Sequence, residues 1–220
     1  MELFELAESD IWGKQFASHA RVGPVPLVNP HEACETCLLP AHRRRTGPLT
    51  IVWLPGSEVI PDFMFGFQSE FMVTEPVKVA FEKAGLKGYT TWPLKMTPPP
   101  DRKQRKLPIV LWPYTGPPFW DIHITSTVEL LADGSTVRMT MPCPKCGRSA
   151  CRPLGDPEEW NLVVNPATWD GSDFMAPEGL GTVLLTERAA GVVVSNKFTN
   201  VVVRHVGRIG DLQTNAPLQE

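Results

Sequence analysis

The stretch SEFMVTEPVKVAFEKAGLKG, Ser69 to Gly88, reads as a short strand running directly into a helix. Phe71 to Val73 is a brief apolar run that suits a strand. Thr74 stands where a helix N-cap belongs. Glu75 and Pro76 fall in the first turn, where a carboxylate complements the helix dipole and a missing N–H costs nothing. Val77, Phe81 and Ala84 share one face, and Gly85 or Gly88 can end the helix in the left-handed region. A second stretch, GTVLLTERAAGVVVSNKFTN from Gly181 to Asn200, repeats the plan. Leu184 and Leu185 end a strand, Thr186 caps, and a helix runs to Ser195 or Asn196. Gly191 and three consecutive valines weaken that helix. A strand is expected after each helix, at Tyr89–Pro93 and at Val201–Val206.

Asp62-Phe63-Met64 precedes the first stretch and Asp173-Phe174-Met175 precedes the second, at nearly equal spacing from Thr74-Glu75 and Thr186-Glu187. Each follows a C-x-x-C pair, Cys34/Cys37 in one case and Cys143/Cys146 in the other. Matches in the same order at a long period point to an internal pseudo-duplication, with chance and common turn chemistry as the alternative. The expected fold class is α+β, mostly β with a few short helices. Residues 1–96 form the first half with its CETC knuckle, and 107–220 the second with its CPKCG knuckle. Residues 97–106, TPPPDRKQRK, form an exposed connector, and the halves are expected to make one unit. Leu49–Leu54 reads as a strand, and Leu107–Tyr114 as an edge strand limited by its prolines. Phe119–Met141 reads as a hairpin turning at Ala132–Ser135, its return strand running into Cys143.

The bulk numbers bound the function. A chain of 220 residues, 42% hydrophobic and 20% charged, is an ordinary globular composition with room for a substantial core. A formal charge of −3 argues against a sequence-independent grip on nucleic acid. HRRR at His42–Arg45 and RKQRK at Arg102–Lys106 are short basic clusters, read as solvated loops or as contacts for an acidic partner. The opening MELFELAESD has no basic region followed by an apolar run, and no stretch reaches 18 apolar residues. No membrane insertion and a cytoplasmic location are therefore expected.

In a reducing compartment, disulfides are the weaker reading of the cysteines. A C-x-x-C turn aims two thiolates at one point, and two such turns complete the tetrahedron that structural zinc requires. The expected ligands are Cys34, Cys37, Cys143 and Cys146, which would clamp one half to the other. Gly147 allows a tight turn and frees N–H groups for the sulfurs, whereas Leu38 stands at the matching place in the first pair. Buried thiols without metal and a redox pair are the alternatives, the latter needing a C-x-x-C at a helix start. Four thiolates leave no open position, so a catalytic zinc is not expected. Cys151 is a spare thiol, and His31 and His42 are loop histidines near the first pair.

No G-x-S-x-G elbow, Walker loop, dinucleotide fingerprint or H-E-x-x-H occurs. Asp62 and Asp173 read as turn acids before core side chains. Asp121 and His123, two apart on one strand face, are the remaining acid–base candidate. No catalytic residue is expected. The scattered tryptophans divide between core and interface anchors.

The paired motifs, VTEPVKVAFEKAGLKGYTTWPLKM (Val73–Met96) and the FELAES start (Phe4–Ser9) resemble the double-CXXCG motif proteins of myxobacteria. The resemblance extends over essentially the whole chain, with Cys34, Cys37, Cys143, Cys146 and Gly147 carrying the motif. It implies an immunity protein that binds and neutralises a cognate toxin domain of a polymorphic toxin system. A zinc-ribbon nucleic-acid module is the alternative, favoured by the two basic clusters and disfavoured by the net charge. A zinc-stabilised enzyme built around Asp121 and His123 is a third reading.

Overall fold

The computed structural model describes residues 1–9, 15–23, 46–66, 71–99, 108–139, 141, 143–145 and 151–210. In chain order these give β1 (Glu2–Ala7), β2 (His19–Arg21), β3 (Thr50–Trp53), β4 (Phe63–Phe65), β5 (Phe71–Thr74), α1 (Glu75–Lys83), β6 (Tyr89–Pro93) and β7 (Lys95–Met96). Then follow β8 (Phe119–Ile124), β9 (Thr127–Val128), β10 (Val137–Met139), β11 (Cys151–Pro153), β12 (Leu162–Val164), β13 (Phe174–Pro177), β14 (Leu184–Thr186), α2 (Glu187–Ser195) and β15 (Val202–Ile209). Among the described residues the fold is mostly β with two α-helices. Among the described residues no helix is long and apolar enough to cross a membrane.

Both strand-to-helix stretches form as their sequences require. Thr74 and Thr186 take the same extended N-cap conformation, with φ/ψ of −71°/161° and −72°/163°. α1 buries Val77 and Phe81, and Gly85 ends it at φ +62°. The Leu86 N–H closes back onto the Phe81 carbonyl at 3.1 Å, a C-terminal closure that needs a left-handed residue between them. α2 buries Ala189, Ala190 and Val193, and Lys197 takes the left-handed place at φ +54°. The helix forms despite its three valines because burial of Ala189, Ala190 and Val193 outweighs a small propensity cost.

Strand order differs from chain order in an informative way. β8 lies between β5 and β6, antiparallel to both, in the sheet β4-β5-β8-β6. β1 lies between β14 and β15, again antiparallel to both, in the six-stranded sheet β12-β15-β1-β14-β13-β9. The first strand of the chain thus completes the sheet around α2, and the first strand after the connector completes the sheet around α1. The parallel pairs also match. Thr50 faces Lys95 in β3/β7, and Leu162 faces Gly207 in β12/β15.

Period-two alternation sorts the side chains into three clusters. Phe63, Phe71, Val73, Ile122, Phe174 and Leu185 face the helices and form a common core with Val77, Phe81, Ala189 and Val193. The phenylalanine rings interlock, with Phe81 and Phe174 at 5.1 Å and Phe63 and Phe71 at 6.1 Å between centroids. On the other face of the first sheet, Met64, Met72 and Phe119 pack on Ile51 and Trp53. On the other face of the second, Leu3, Met175 and Leu184 pack on Val128, Leu162 and Val206.

Two expected elements differ. Residues 108–114 are not a strand, since four prolines between 108 and 118 remove the N–H groups a ladder needs. The expected Phe119–Met141 hairpin does not form either. β9 pairs with β13 and β10 pairs with β11, so the return strand finds its partner later in the chain.

Candidate functional site: two aspartate clasps and the C-x-x-C connections

Asp62 and Asp173 sit at the junction of the two sheets. The Thr74 hydroxyl donates to Asp62 Oδ1 at 3.1 Å, and the Thr186 hydroxyl to Asp173 Oδ1 at 2.9 Å. The Thr74 and Thr186 N–H groups reach the Asp62 and Asp173 carbonyls, both at 3.0 Å. Thr74 was expected to cap α1 with its side chain, and that hydroxyl goes to Asp62 instead. Thr186 does both, accepting from the Ala189 N–H at 3.4 Å.

The second carboxylate oxygen of each aspartate reaches across to the other half. Asp62 Oδ2 accepts the N–H and the hydroxyl of Thr199, both at 2.8 Å, just past the end of α2. Asp173 Oδ2 accepts the Lys87 N–H at 2.9 Å, just past the end of α1. The Phe63 N–H donates to the Thr199 carbonyl, and the Phe174 N–H to the Lys87 carbonyl. Gly88 has φ +98°, and a Cβ there would lie 2.1 Å from the Phe174 carbonyl oxygen. At the matching place Asn200, at φ +58°, donates its side-chain amide to the Phe63 carbonyl at 3.0 Å. Asp173 further takes the Arg188 guanidinium. Burial alone would raise the Asp173 carboxyl. The hydrogen bonds from Arg188, the Lys87 N–H and Thr186 outweigh it and hold the group below the usual range.

Asp121 is fully buried, and its Oδ2 accepts the Leu49 N–H at 2.7 Å. It shares a face of β8 with His123, as the sequence indicates, and the His123 ring stacks on Trp92 at 5.6 Å. Glu5 in β1 is the acid of the second sheet that matches Asp121, also buried. It accepts the Thr182 hydroxyl at 2.9 Å, with Arg204 at 3.6 Å. Burial raises the Glu5 carboxyl despite both partners. Beside Asp121, a cavity of about 460 Å³ is lined by Leu49, Ile51, Phe65, Met72, His19 and Arg21. Burial pushes the His19 imidazole down to about 4, so a neutral ring and a guanidinium stand at an apolar wall.

Of the expected zinc ligands, Cys34, Cys37 and Cys146, with Gly147, lie outside the described residues, as do His31, His42 and both basic clusters. Cys143 is described and buried. In chain order, Cys143 and Cys146 fall between the antiparallel partners β10 and β11. Cys34 and Cys37 likewise fall between the antiparallel partners β2 and β3. Among the described residues no group of three or more His, Cys, Asp or Glu side chains is placed to hold a metal ion. The Cys151 thiol donates to the Glu178 carbonyl at 3.3 Å. Burial, then the Glu178 charge, push that thiol up, which keeps it protonated and unreactive.

The tryptophans divide as core and surface. Trp53 is buried against Phe119 and Tyr114, Trp120 donates its indole N–H to Glu75 beneath the Lys78 ammonium, and Trp112 is exposed. The sequence offers no signal for the crossed contacts at Thr199 and Lys87, because they use backbone N–H groups and one ordinary Thr hydroxyl. Compared with models of known protein families and with curated proteins, the chain gives no match to either.

Proposed function

We propose that the chain is a binding protein rather than an enzyme: an immunity protein that occupies and neutralises a cognate toxin domain in the cytoplasm. The observation that carries this reading is how the conspicuous acids are used. Asp62, Asp173 and Asp121 each hold backbone N–H groups, with Thr hydroxyls added at the first two. A carboxylate so engaged is a structural fastener, poorly disposed to take a proton from a substrate. The motif resemblance supplies the partner class.

We read the chain as two copies of one unit, each lending its first strand to the other. Supporting this, Thr74 and Thr186, Lys87 and Thr199, and Gly88 and Asn200 are each 112 residues apart and do matching work. We further read Cys34, Cys37, Cys143 and Cys146 as ligands of one structural zinc. The burial of Cys143 and the placing of each C-x-x-C pair between two antiparallel strands are consistent with zinc-ribbon-like knuckles. Such an ion would fasten the two connections together, with a contribution to folding on the order of 10 kcal/mol in small modules.

The test is to express the chain with the product of its adjacent gene, purify by a tag on this chain alone, and measure metal on the same sample. A 1:1 partner and one zinc per chain are the expected result. Zinc with a salt-sensitive shift of nucleic acid, and no protein partner, would replace this reading with the nucleic-acid module. A stable complex without zinc would remove the metal assignment and leave the binding function standing.

A further inference from the structure

We propose that the outer edge of β4 at Phe65, with the cavity beside it, receives an extended segment of the partner protein, an aliphatic side chain entering the cavity and an acidic one meeting Arg21. This rests on the binding function proposed above and names its site. In an antiparallel pair, alternate residues turn both backbone groups toward the neighbouring strand, and the residues between turn theirs away. The Thr74 N–H donates to the Asp62 carbonyl, and Met64 faces Met72 in the same phase, so Phe63 and Phe65 turn away from β5. The Phe63 N–H is taken by the Thr199 carbonyl. Among the described residues the Phe65 N–H has no such acceptor. An outward donor on an edge strand is a template for one more strand.

The second sheet shows what an edge of this kind takes. The Phe174 N–H goes to the Lys87 carbonyl, as that of Phe63 goes to Thr199. Two residues on, the Ala176 N–H donates to the Ser126 carbonyl at 3.0 Å, and β9 lies beside β13. Val128 of β9 is 1% exposed, in one core cluster with Leu184 and Leu162. Met72 stands opposite Met64 as Leu184 stands opposite Met175. Met72 instead lines the cavity of about 460 Å³, together with Leu49, Ile51 and Phe65. That volume lies within the roughly 300–1,000 Å³ of ligand sites.

The occupant follows from these groups. A backbone N–H on a sheet edge calls for a peptide carbonyl, and strand addition supplies it while a pocket reads alternate side chains. The walls of Leu49, Ile51 and Met72 suit a Val, Ile or Leu side chain, as Val128 suits the second sheet. His19 and Arg21 complete the lining on one side, and burial keeps the imidazole neutral. The lining therefore holds the Arg21 cation and no carboxylate. An acid close to the aliphatic residue in the same extended segment is the complement.

The experiment uses the full chain, alone and in complex with the co-expressed product of its adjacent gene. NMR reads hydrogen exchange at the Phe65 amide and the methyl signals of Met72 and Ile51. The Phe65 amide is expected to exchange without protection in the isolated chain and at least about tenfold more slowly in the complex, with both methyl signals shifted. Phe65→Pro removes the donor where an edge strand tolerates proline, and should weaken binding about tenfold, the scale of one hydrogen bond. Arg21→Glu should weaken binding more at low salt than at high salt. Val194→Ser, exposed on α2, should change nothing. Unfolding curves show whether each variant folds, and if Phe65→Pro does not, exchange in the wild type decides. A complex that leaves the Phe65 amide and both methyl signals unchanged overturns the site while the binding function stands. A Phe65 amide already protected in the isolated chain means that the chain covers its own edge, and overturns the proposal. A wild-type chain that captures no adjacent-gene product overturns the function and the site with it.

Discussion

Asp62 and Asp173 do the same work in different surroundings, and the difference is measurable. Asp173 is buried and carries Thr186, the Lys87 N–H and Arg188, whereas Asp62 is part-buried and carries Thr74 and Thr199. Hydrogen bonds to an ionised acceptor contribute more than neutral ones, and removing the acceptor strands its buried donors. Asp173→Ala is expected to cost about 3 kcal/mol and Asp62→Ala about 2 kcal/mol in urea unfolding. Equal, near-zero losses would show that neither clasp contributes. His19 makes a separate pH signature. Its folded value near 4 lies below the ordinary 6.5. The unfolded chain therefore binds a proton that the folded chain refuses, and stability is full above 6.5 and declines as pH falls toward 4. Asp173 adds a second loss at lower pH, as its unfolded and then its depressed folded carboxyl become protonated. Urea midpoints at pH 7, 5.5 and 4.5 should fall less steeply in His19→Gln than in the wild type. Parallel slopes would remove His19 as the cause.

At the scale of elements, the two helices show which glycines carry structure. Gly191 sits in the middle of α2, exposed, with nothing within 4 Å of a Cβ built there. Gly191→Ala should therefore stabilise the protein by about 1 kcal/mol, the ordinary propensity difference. Gly88→Ala meets both a left-handed φ and the Phe174 carbonyl oxygen, and should cost several-fold more than that gain. Thermal unfolding of the pair checks both signs, and destabilisation by Gly191→Ala would mean that α2 packs against something at that face. The helices and the strands on either side were legible in the sequence because local rules fix them: an apolar run, a Thr at the N-cap position, an acid in the first turn and, for α1, a Pro beside it and a glycine at the end. The 107–114 strand and the 119–141 hairpin were misread for one reason. Apolar content says that a segment is buried or paired, and it does not say with what. Val137–Met139 pairs with Cys151–Pro153, and no local feature of either segment names the other.

For the whole molecule, the sheets that β1 and β8 enter decide how it must unfold. β1 is hydrogen-bonded only into the sheet around α2, and β8 into the sheet around α1, as far as the described strand pairs extend. Phe63, Phe71 and Phe81 from one half share a core with Phe174, Leu185 and Val193 from the other. Each aspartate clasp also has one oxygen in each half. This interdependence was not visible beforehand, since paired motifs in a sequence do not say which strand enters which sheet. Neither half can open without exposing the aromatic core and breaking both clasps, so sub-global opening of one half should be suppressed. Native-state hydrogen exchange is expected to give the amides of α1 and α2 the same opening free energy, equal to that of global unfolding. The Asp173→Ala substitution should lower protection in both helices together, since its carboxylate holds Thr186 ahead of α2 and the Lys87 N–H just past α1. If α1 exchanges through an opening at least about 2 kcal/mol easier than that of α2, the halves are separate cooperative units. The crossed clasps would then be contacts between two folded bodies, and β1 and β8 would bear little of the coupling.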